Sequence, residues 1–388
     1  MNSGRIHVGL EVLVEEGFVE DLRSKRIGIV TNHTGIHPEY GHIVDVFREE
    51  GLNVVALFAP EHGLQGNFPA GFGFTDYEYH GLTVYSLYGQ RLRPPDNIMR
   101  KLDVIVFDMQ DVGVRFYTYV STLFYVIESV SHSNVELFVL DRPNPLNGLI
   151  IEGPLLKSNL RSFVGVWDIP LRYGMTIGEL AKFFNSEVGF NANLHVIGMR
   201  GWRRNMWFDD TGLPWISPSP AIKSMNTAIV YPGSGLLEGT NVSEGRGTHK
   251  PFEIIGAPWI NKNVLVDEIS SFSFAGVDVE PIDFVPNDSS VKYAGEKCEG
   301  IFIRIIDREK FRPVEFGLGI IWIIKRLYPN QFIFKLSNDK YYFDLLIGDE
   351  RIRSMIESNA SFDNIIGILD ENINSFKNIA NKYKIYSN

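Results

Sequence analysis

The chain predicts an α/β protein built around a parallel sheet, with a smaller α/β unit after it. The first half repeats one grammar: a short β-branched run, a polar break, then a segment of helical period, which is how a helix-covered parallel sheet is written. At 388 residues with 44% hydrophobic content, the chain also exceeds the usual single core and has material for two. Finally, Pro214, Pro218 and Pro220 break the alternation and mark a boundary, giving domains at 1–215 and 216–388.

Strands are predicted at 26–31, 54–59, 83–86, 104–108 and 137–141, with helices at 43–50 and 119–131 between them. Thr176 is placed to cap a helix over 177–185, and a further strand follows near 194–197. In the second half, 231–258 reads as a long irregular stretch rich in Gly, Glu, Thr and Asn, and Leu236, Leu237, Val242, Phe252 and Ile255 favour an ordered one. A strand at 301–306 and a helix at 314–328 complete the smaller unit, and no solenoid-type repeat is present.

Composition removes several function classes. The formal charge of −10, from 47 acidic against 37 basic residues, is unsuited to neutralising phosphates, so nucleic acid is not an expected partner. The single cysteine, Cys298, excludes an internal disulfide framework or a cysteine-rich metal cluster. Glu11, Glu15 and Glu16 interrupt the amino-terminal region before any apolar segment of leader length, and no stretch approaches a membrane span, so the sequence as given reads as cytoplasmic. Phosphate-loop, zincin and dinucleotide signatures are missing, and 241–245 resembles a nucleophile elbow but lacks its first glycine and the strand before it.

Ligands of open parallel sheets bind beyond the carboxyl ends of the strands. There the chain delivers Thr31, Asn32 and His33 from the first strand, then Glu61 and His62, then Gln110, Asp111 and Arg115, then Arg142 and Asn144. Glu61 follows apolar Phe58 and Pro60, a setting that favours a protonated carboxyl of the kind a glycosidic leaving oxygen needs. Its alternatives are an arginine pair or a turn cap. His62 is a proton shuttle, a substrate donor or a structural histidine. Asp108, Gln110 and Asp111 either orient sugar hydroxyls or build the loop before Gly113. Arg115, near Tyr117 and Tyr119, is either a carboxylate clamp or an internal partner of Asp108 or Asp111. Between Pro143 and Pro145, Asn144 is the residue of a rigid turn best placed to touch ligand. The densest polar run is 238–248, where Glu238 and Glu244 are candidates for a second acid or base, or for turn capping, and glycines permit close backbone approach.

These segments carry a family resemblance. Thr31-Asn32-His33-Thr34-Gly35, Ala59-Pro60-Glu61-His62-Gly63, Ser86-Leu87-Tyr88-Gly89 and Phe107-Asp108-Met109-Gln110-Asp111-Val112-Gly113 with Arg115-Phe116-Tyr117-Thr118-Tyr119 resemble the exo-β-N-acetylmuramidases of peptidoglycan recycling. Asp141-Arg142-Pro143-Asn144-Pro145, Glu152-Gly153-Pro154, Gly174-Met175-Thr176, Gly212-Leu213-Pro214-Trp215, the run from Glu238 to Thr248 and Gly256-Ala257-Pro258-Trp259 extend the likeness. Where many relatives have an arginine after Glu-His-Gly and then Ala-Gly-Glu, this chain reads Leu64-Gln65-Gly66-Asn67 and Ala70-Gly71-Phe72.

The resemblance implies a Rossmann-like amino-terminal domain, a smaller carboxyl-terminal α/β domain and an active cleft between them. It implies removal of a terminal β-1,4-linked N-acetylmuramic acid without nucleotide or metal. Carried over by residue, the acid falls on Glu61, and the polar rim on Asn32, His62, Gln110, Asp111, Arg115, Asn144, Glu238, Asn241, Glu244 and Arg246. Arg246 or Arg115 would hold the lactyl carboxylate. The anomeric carbon would be attacked by the sugar's own 2-acetamido oxygen or by water activated by Glu238 or Glu244. The rival readings are a non-catalytic muropeptide or amino-sugar binding protein, and a metal-dependent hydrolase using Glu61, His62, Asp108 and Asp111.

Overall fold

The computed structural model describes residues 4–387. Seven strands form the main sheet: β1 (Arg26–Thr31), β2 (Asn53–Ala59), β3 (Tyr77–Tyr79), β4 (Leu82–Ser86), β5 (Val104–Asp108), β6 (Glu136–Leu140) and β7 (Leu194–Ile197). Their order is β7-β6-β5-β1-β2-β4-β3, parallel throughout except for the edge strand β3, which pairs antiparallel with β4. The chain winds outward from β1 through β2 to β4 and then returns to β5 on the other side of β1. Helices cover both faces, so β1 and β5 are buried on both sides and read as near-continuous apolar runs.

Alternation along the strands sorts the side chains. Ile27, Ile29 and Leu57 pack with α1 (Gly9–Glu15) and α2 (Ile43–Glu49) on one face. Val30, Phe58 and Phe107 pack with α3 (Thr118–Ser131) and α4 (Ile177–Glu187) on the other. Thr176 caps α4 as expected: its hydroxyl accepts from the Glu179 N–H while the Glu179 carboxylate accepts from the Thr176 N–H.

The second unit holds α5 (Met225–Ser234), a three-stranded antiparallel sheet of β8 (Ile254–Ala257), β9 (Val277–Phe284) and β10 (Cys298–Ile305) in the order β8-β10-β9, α6 (Lys262–Ser271) and α7 (Pro313–Leu327). Four short helices follow: α8 (Tyr342–Ile347), α9 (Glu350–Glu357), α10 (Phe362–Leu369) and α11 (Ile373–Ala380). Its apolar residues do not form an isolated core, because they run continuously into the α3/α4 face of the main sheet. The stretch predicted as irregular from 231 instead begins inside α5, with Pro232 within the helix, and continues as a 3₁₀ turn over Gly235–Gly239. Tertiary packing overrides the local breakers here. Gly233 of α5 lies so close to α7 that a Cβ on it would stand 1.8 Å from the Pro313 carbonyl oxygen.

The two units are tied at defined points. Glu152, between β6 and α4, caps α7 with Oε1, which accepts the Val314 and Glu315 N–H groups at 2.8 and 3.1 Å. The carboxyl-terminal segment returns to the sheet, where the Tyr386 hydroxyl donates to Asp141 at the end of β6 and accepts the Met199 N–H at 2.8 Å. Burial pushes the Asp141 carboxyl up to about 7, against the pull of its Tyr386, Thr176 and Gly178 hydrogen bonds. Folded Asp141 therefore holds its proton to higher pH than the unfolded carboxyl, at about 4, so stability falls as pH rises through that interval. Asp141→Asn should flatten this part of the melting-temperature profile between about pH 4 and 7. A variant profile parallel to the parent's would show that Asp141 does not titrate there.

Candidate active site

The site is assembled from the end of β2, the start of α3 and the glycine-rich loop after α5. Beyond Ala59 the backbone turns sharply, with His62 at φ 72° and Gly63 at φ 74°, so Glu61 is held at the sheet rim. Its two carboxyl oxygens are separately anchored. Oε1 accepts the Gly71 N–H at 2.8 Å, and Oε2 accepts the hydroxyl of Thr118, the first residue of α3, at 2.7 Å. His62 Nδ1 lies 2.7 Å from the Phe68 carbonyl oxygen, and burial pulls its imidazole below the usual pKa, keeping the ring neutral.

Across from this rim, Arg246 Nη2 donates to Glu238 Oε1 at 2.9 Å while its Nε stands 3.8 Å from Glu244 Oε1. Its guanidinium lies 5.2 Å from the centre of the Phe252 ring. Lys292 reaches the same loop and donates to Glu244 Oε2 at 2.7 Å and to the Leu237 and Val242 carbonyls at 2.8 Å. The two carboxylates are thereby made unlike. Desolvation raises Glu238 above the ordinary carboxyl range despite Arg246. Desolvation works in the same direction on Glu244, but Lys292 and Arg246 together bring it below.

Between these walls lies a cleft of two lobes. The first, of about 510 Å³, is lined by Glu61, Thr118, Tyr88, Phe163 and Tyr231. The second, of about 490 Å³, is lined by Lys223, Glu244, Thr248, Asp288, Lys292 and Lys335. His62, Glu238, Arg246 and Tyr342 border both. Burial, reinforced by Glu61 at Tyr88 and by Glu238 at Tyr342, holds both phenols protonated and able to donate.

Comparison with known proteins bears directly on this cleft. The family models for exo-beta-N-acetylmuramidase NamZ match the chain twice, the amino-terminal one over residues 27–226 and the carboxyl-terminal one over 229–386. The chain belongs to the exo-β-N-acetylmuramidase NamZ family. The peptidoglycan beta-N-acetylmuramidase NamZ of Bacillus subtilis (strain 168) is 42% identical over 385 residues, covering 98% of this chain and 92% of that protein. Two DUF1343 family proteins from Bacteroides fragilis NCTC 9343 have similar crystal structures. One has a TM-score of 0.90 at 35% identity, covering 99% of both chains. The other has a TM-score of 0.77 at 27% identity, covering 99% of this chain and 100% of its own.

In this NamZ-family chain, Glu61, His62, Glu238, Glu244 and Arg246 line the cleft, whereas the other rim residues are bonded within the protein itself. Arg115 is the clearest correction, because it is fully buried and donates to the carbonyls of Pro154 and Ile169 in the first unit and of Leu346 and Ile347 in the second. Burial pulls the guanidinium down to about 9, still charged at neutral pH, and it clamps backbone rather than a ligand carboxylate. Asn32 donates to the Tyr119 hydroxyl and accepts from Thr34. Asp111 accepts from Tyr173 and the Gly113 N–H, with burial pushing it up to about 6. Gln110 bonds the Asp111 and Pro143 carbonyls and faces a separate small depression beside Phe208. Asn144 and Asn241 are spent on backbone groups of their own turns and neighbours. Asp108 forms a two-point ion pair with Arg142, so Glu61, His62, Asp108 and Asp111 do not form a ligand set. Among the cleft residues that sequence reasoning missed are Lys223, Lys292, Lys335 and Tyr342, none of which sits in a polar strand-end motif.

Proposed function

We propose that this protein is a glycoside hydrolase that releases a terminal β-1,4-linked N-acetylmuramic acid from peptidoglycan fragments, with Glu61 as its acid. The observation that carries the reading is the presentation of Glu61 to the first lobe. Oε1 is fixed by a backbone N–H, while Oε2 shares its contact with a rotatable hydroxyl. When Oε2 of Glu61 is protonated, the Thr118 hydroxyl can rotate away from it, and Oε2 can deliver its proton to the leaving oxygen as the glycosidic bond breaks.

Glu238 is the second carboxylate of the mechanism. It borders the lobe that holds Glu61, whereas Glu244 lines only the other lobe and is held by Lys292. A carboxylate raised by desolvation is the stronger base. Water attacks the anomeric carbon, its proton passes to Glu238, and the aglycone leaves with the proton from Glu61. Family membership over nearly the whole chain supports the saccharide, and the cationic residues of the second lobe suit the lactyl carboxylate that distinguishes muramic acid from glucosamine. No helix among the described residues is long and apolar enough to cross a membrane.

A chromogenic β-N-acetylmuramide should be cleaved and the matching glucosaminide should not, because a charge-assisted contact is available only to the lactyl ether. Equal rates on the two would replace the assignment with a broader hexosaminidase.

A further inference from the structure

We infer that the second lobe is a carboxylate subsite, held by Lys335 together with Lys223, that takes the acidic substituent of a muramyl ligand. Most cations bordering the lobe already face an anion or a carbonyl. Arg246, the expected clamp, is balanced in charge by Glu238 and Glu244, although only its Nη2 makes a hydrogen bond and its buried Nε makes none. Lys292 directs three donor contacts to Glu244, Leu237 and Val242. Arg115 is outside the cleft, bound to four carbonyls.

Two ammonium groups remain. Lys223 gives one hydrogen bond, to the Thr248 carbonyl at 3.2 Å, and has two protons to spare. Lys335 lines the lobe, and among the described residues its side chain has no hydrogen-bond or ion-pair partner. Desolvation lowers its pKa and the charge of Lys292 lowers it further, with the Glu244 carboxylate opposing both. An unpaired ammonium beside a second cation gains when an anion joins it, even while much of its side chain stays in water. The lobe's remaining acid, Asp288, is engaged by the N–H and hydroxyl of Ser290 at 2.9 and 2.7 Å, so it does not neutralise Lys335.

The lobes meet at His62, Glu238 and Arg246, so a sugar in the first can project a ring substituent into the second. The identity of that sugar rests on the proposed function. Two sources supply the same chemistry: the lactyl carboxylate itself, or the free carboxylate of a short peptide amide-linked to it.

The test is calorimetric titration of the parent, Lys335→Met and Lys223→Met with N-acetylmuramic acid, N-acetylmuramyl-L-alanyl-D-isoglutamine and N-acetylglucosamine. Both lysines are exposed, and equal melting temperatures would confirm intact folding. Lys335→Met should weaken an acidic ligand by about tenfold or more, the loss expected of one charge-assisted hydrogen bond, and Lys223→Met by less. Binding of N-acetylglucosamine should change less than twofold. A loss with N-acetylmuramic acid identifies the lactyl carboxylate, and a loss confined to the dipeptide ligand identifies the stem. If neither variant weakens either acidic ligand beyond its effect on N-acetylglucosamine, the subsite is overturned. Turnover of an aryl muramide by the parent separates the two ideas. Lysine-dependent binding without turnover would sink the hydrolase reading alone, and turnover with lysine-independent binding would sink the subsite alone.

Discussion

Glu61→Gln should lower turnover of a natural muramyl disaccharide by about 10²- to 10⁴-fold, the usual contribution of a positioned proton donor. The substitution preserves size, and the amide oxygen can still accept the Gly71 N–H that now bonds Oε1. The amide nitrogen can donate to Thr118 in place of the present contact from its hydroxyl. Folding should therefore be nearly unchanged, and the transferable proton alone is lost. An aryl muramide, whose phenolate leaves without much help, should lose far less. The comparison of the two substrates is the informative measurement. Near-normal rates on both would remove Glu61 as the acid, and an equal collapse on both would point to a binding or folding defect.

The second large effect is on stability. Arg115→Met should destabilise the protein by on the order of 3–5 kcal/mol, because four buried carbonyls lose a donor, the Ile169 oxygen still keeping the Leu156 N–H, and each acceptor left stranded costs about 1–3 kcal/mol before water enters the vacated space. Two of those carbonyls belong to each unit, so the loss falls on the joint between them. A urea titration of parent and variant measures it. An unchanged midpoint accompanied by weaker binding of N-acetylmuramic acid would restore Arg115 to the role of ligand clamp.

These two residues also show how far the sequence could be read. Strands buried on both faces announce themselves as apolar runs, and β1 and β5 occupy the predicted residues, as does the half-exposed edge strand β7. The position of Glu61 follows from the same logic, since a strand end fixes where a side chain starts. It does not fix where a side chain points. Asn32, Asp111, Asn144 and Arg115 start at the same rim and turn inward, because loop backbone groups there need partners that only the folded chain identifies. Lys292 gave no local signal: it follows β9 in an aperiodic segment and meets Glu244 only once the second unit has formed. The helix α5 was obscured for the opposite reason, since Pro232 and Gly233 argue locally against what their packing enforces.

The contact between Gly233 and Gly317 bears on engineering. A glycine inside a helix is ordinarily the first place to gain robustness, since alanine there restricts the unfolded chain and adds about 0.4–1 kcal/mol. At this crossing the rule reverses. A methyl on Gly317 would stand 2.5 Å from the backbone of Gly233 and push the helices apart, and α5 leads directly into the turn that carries Glu238. Attempts to harden the enzyme against heat by glycine replacement must therefore leave this pair alone, because here close helix packing beside the cleft and helix propensity make opposite demands on the same atoms.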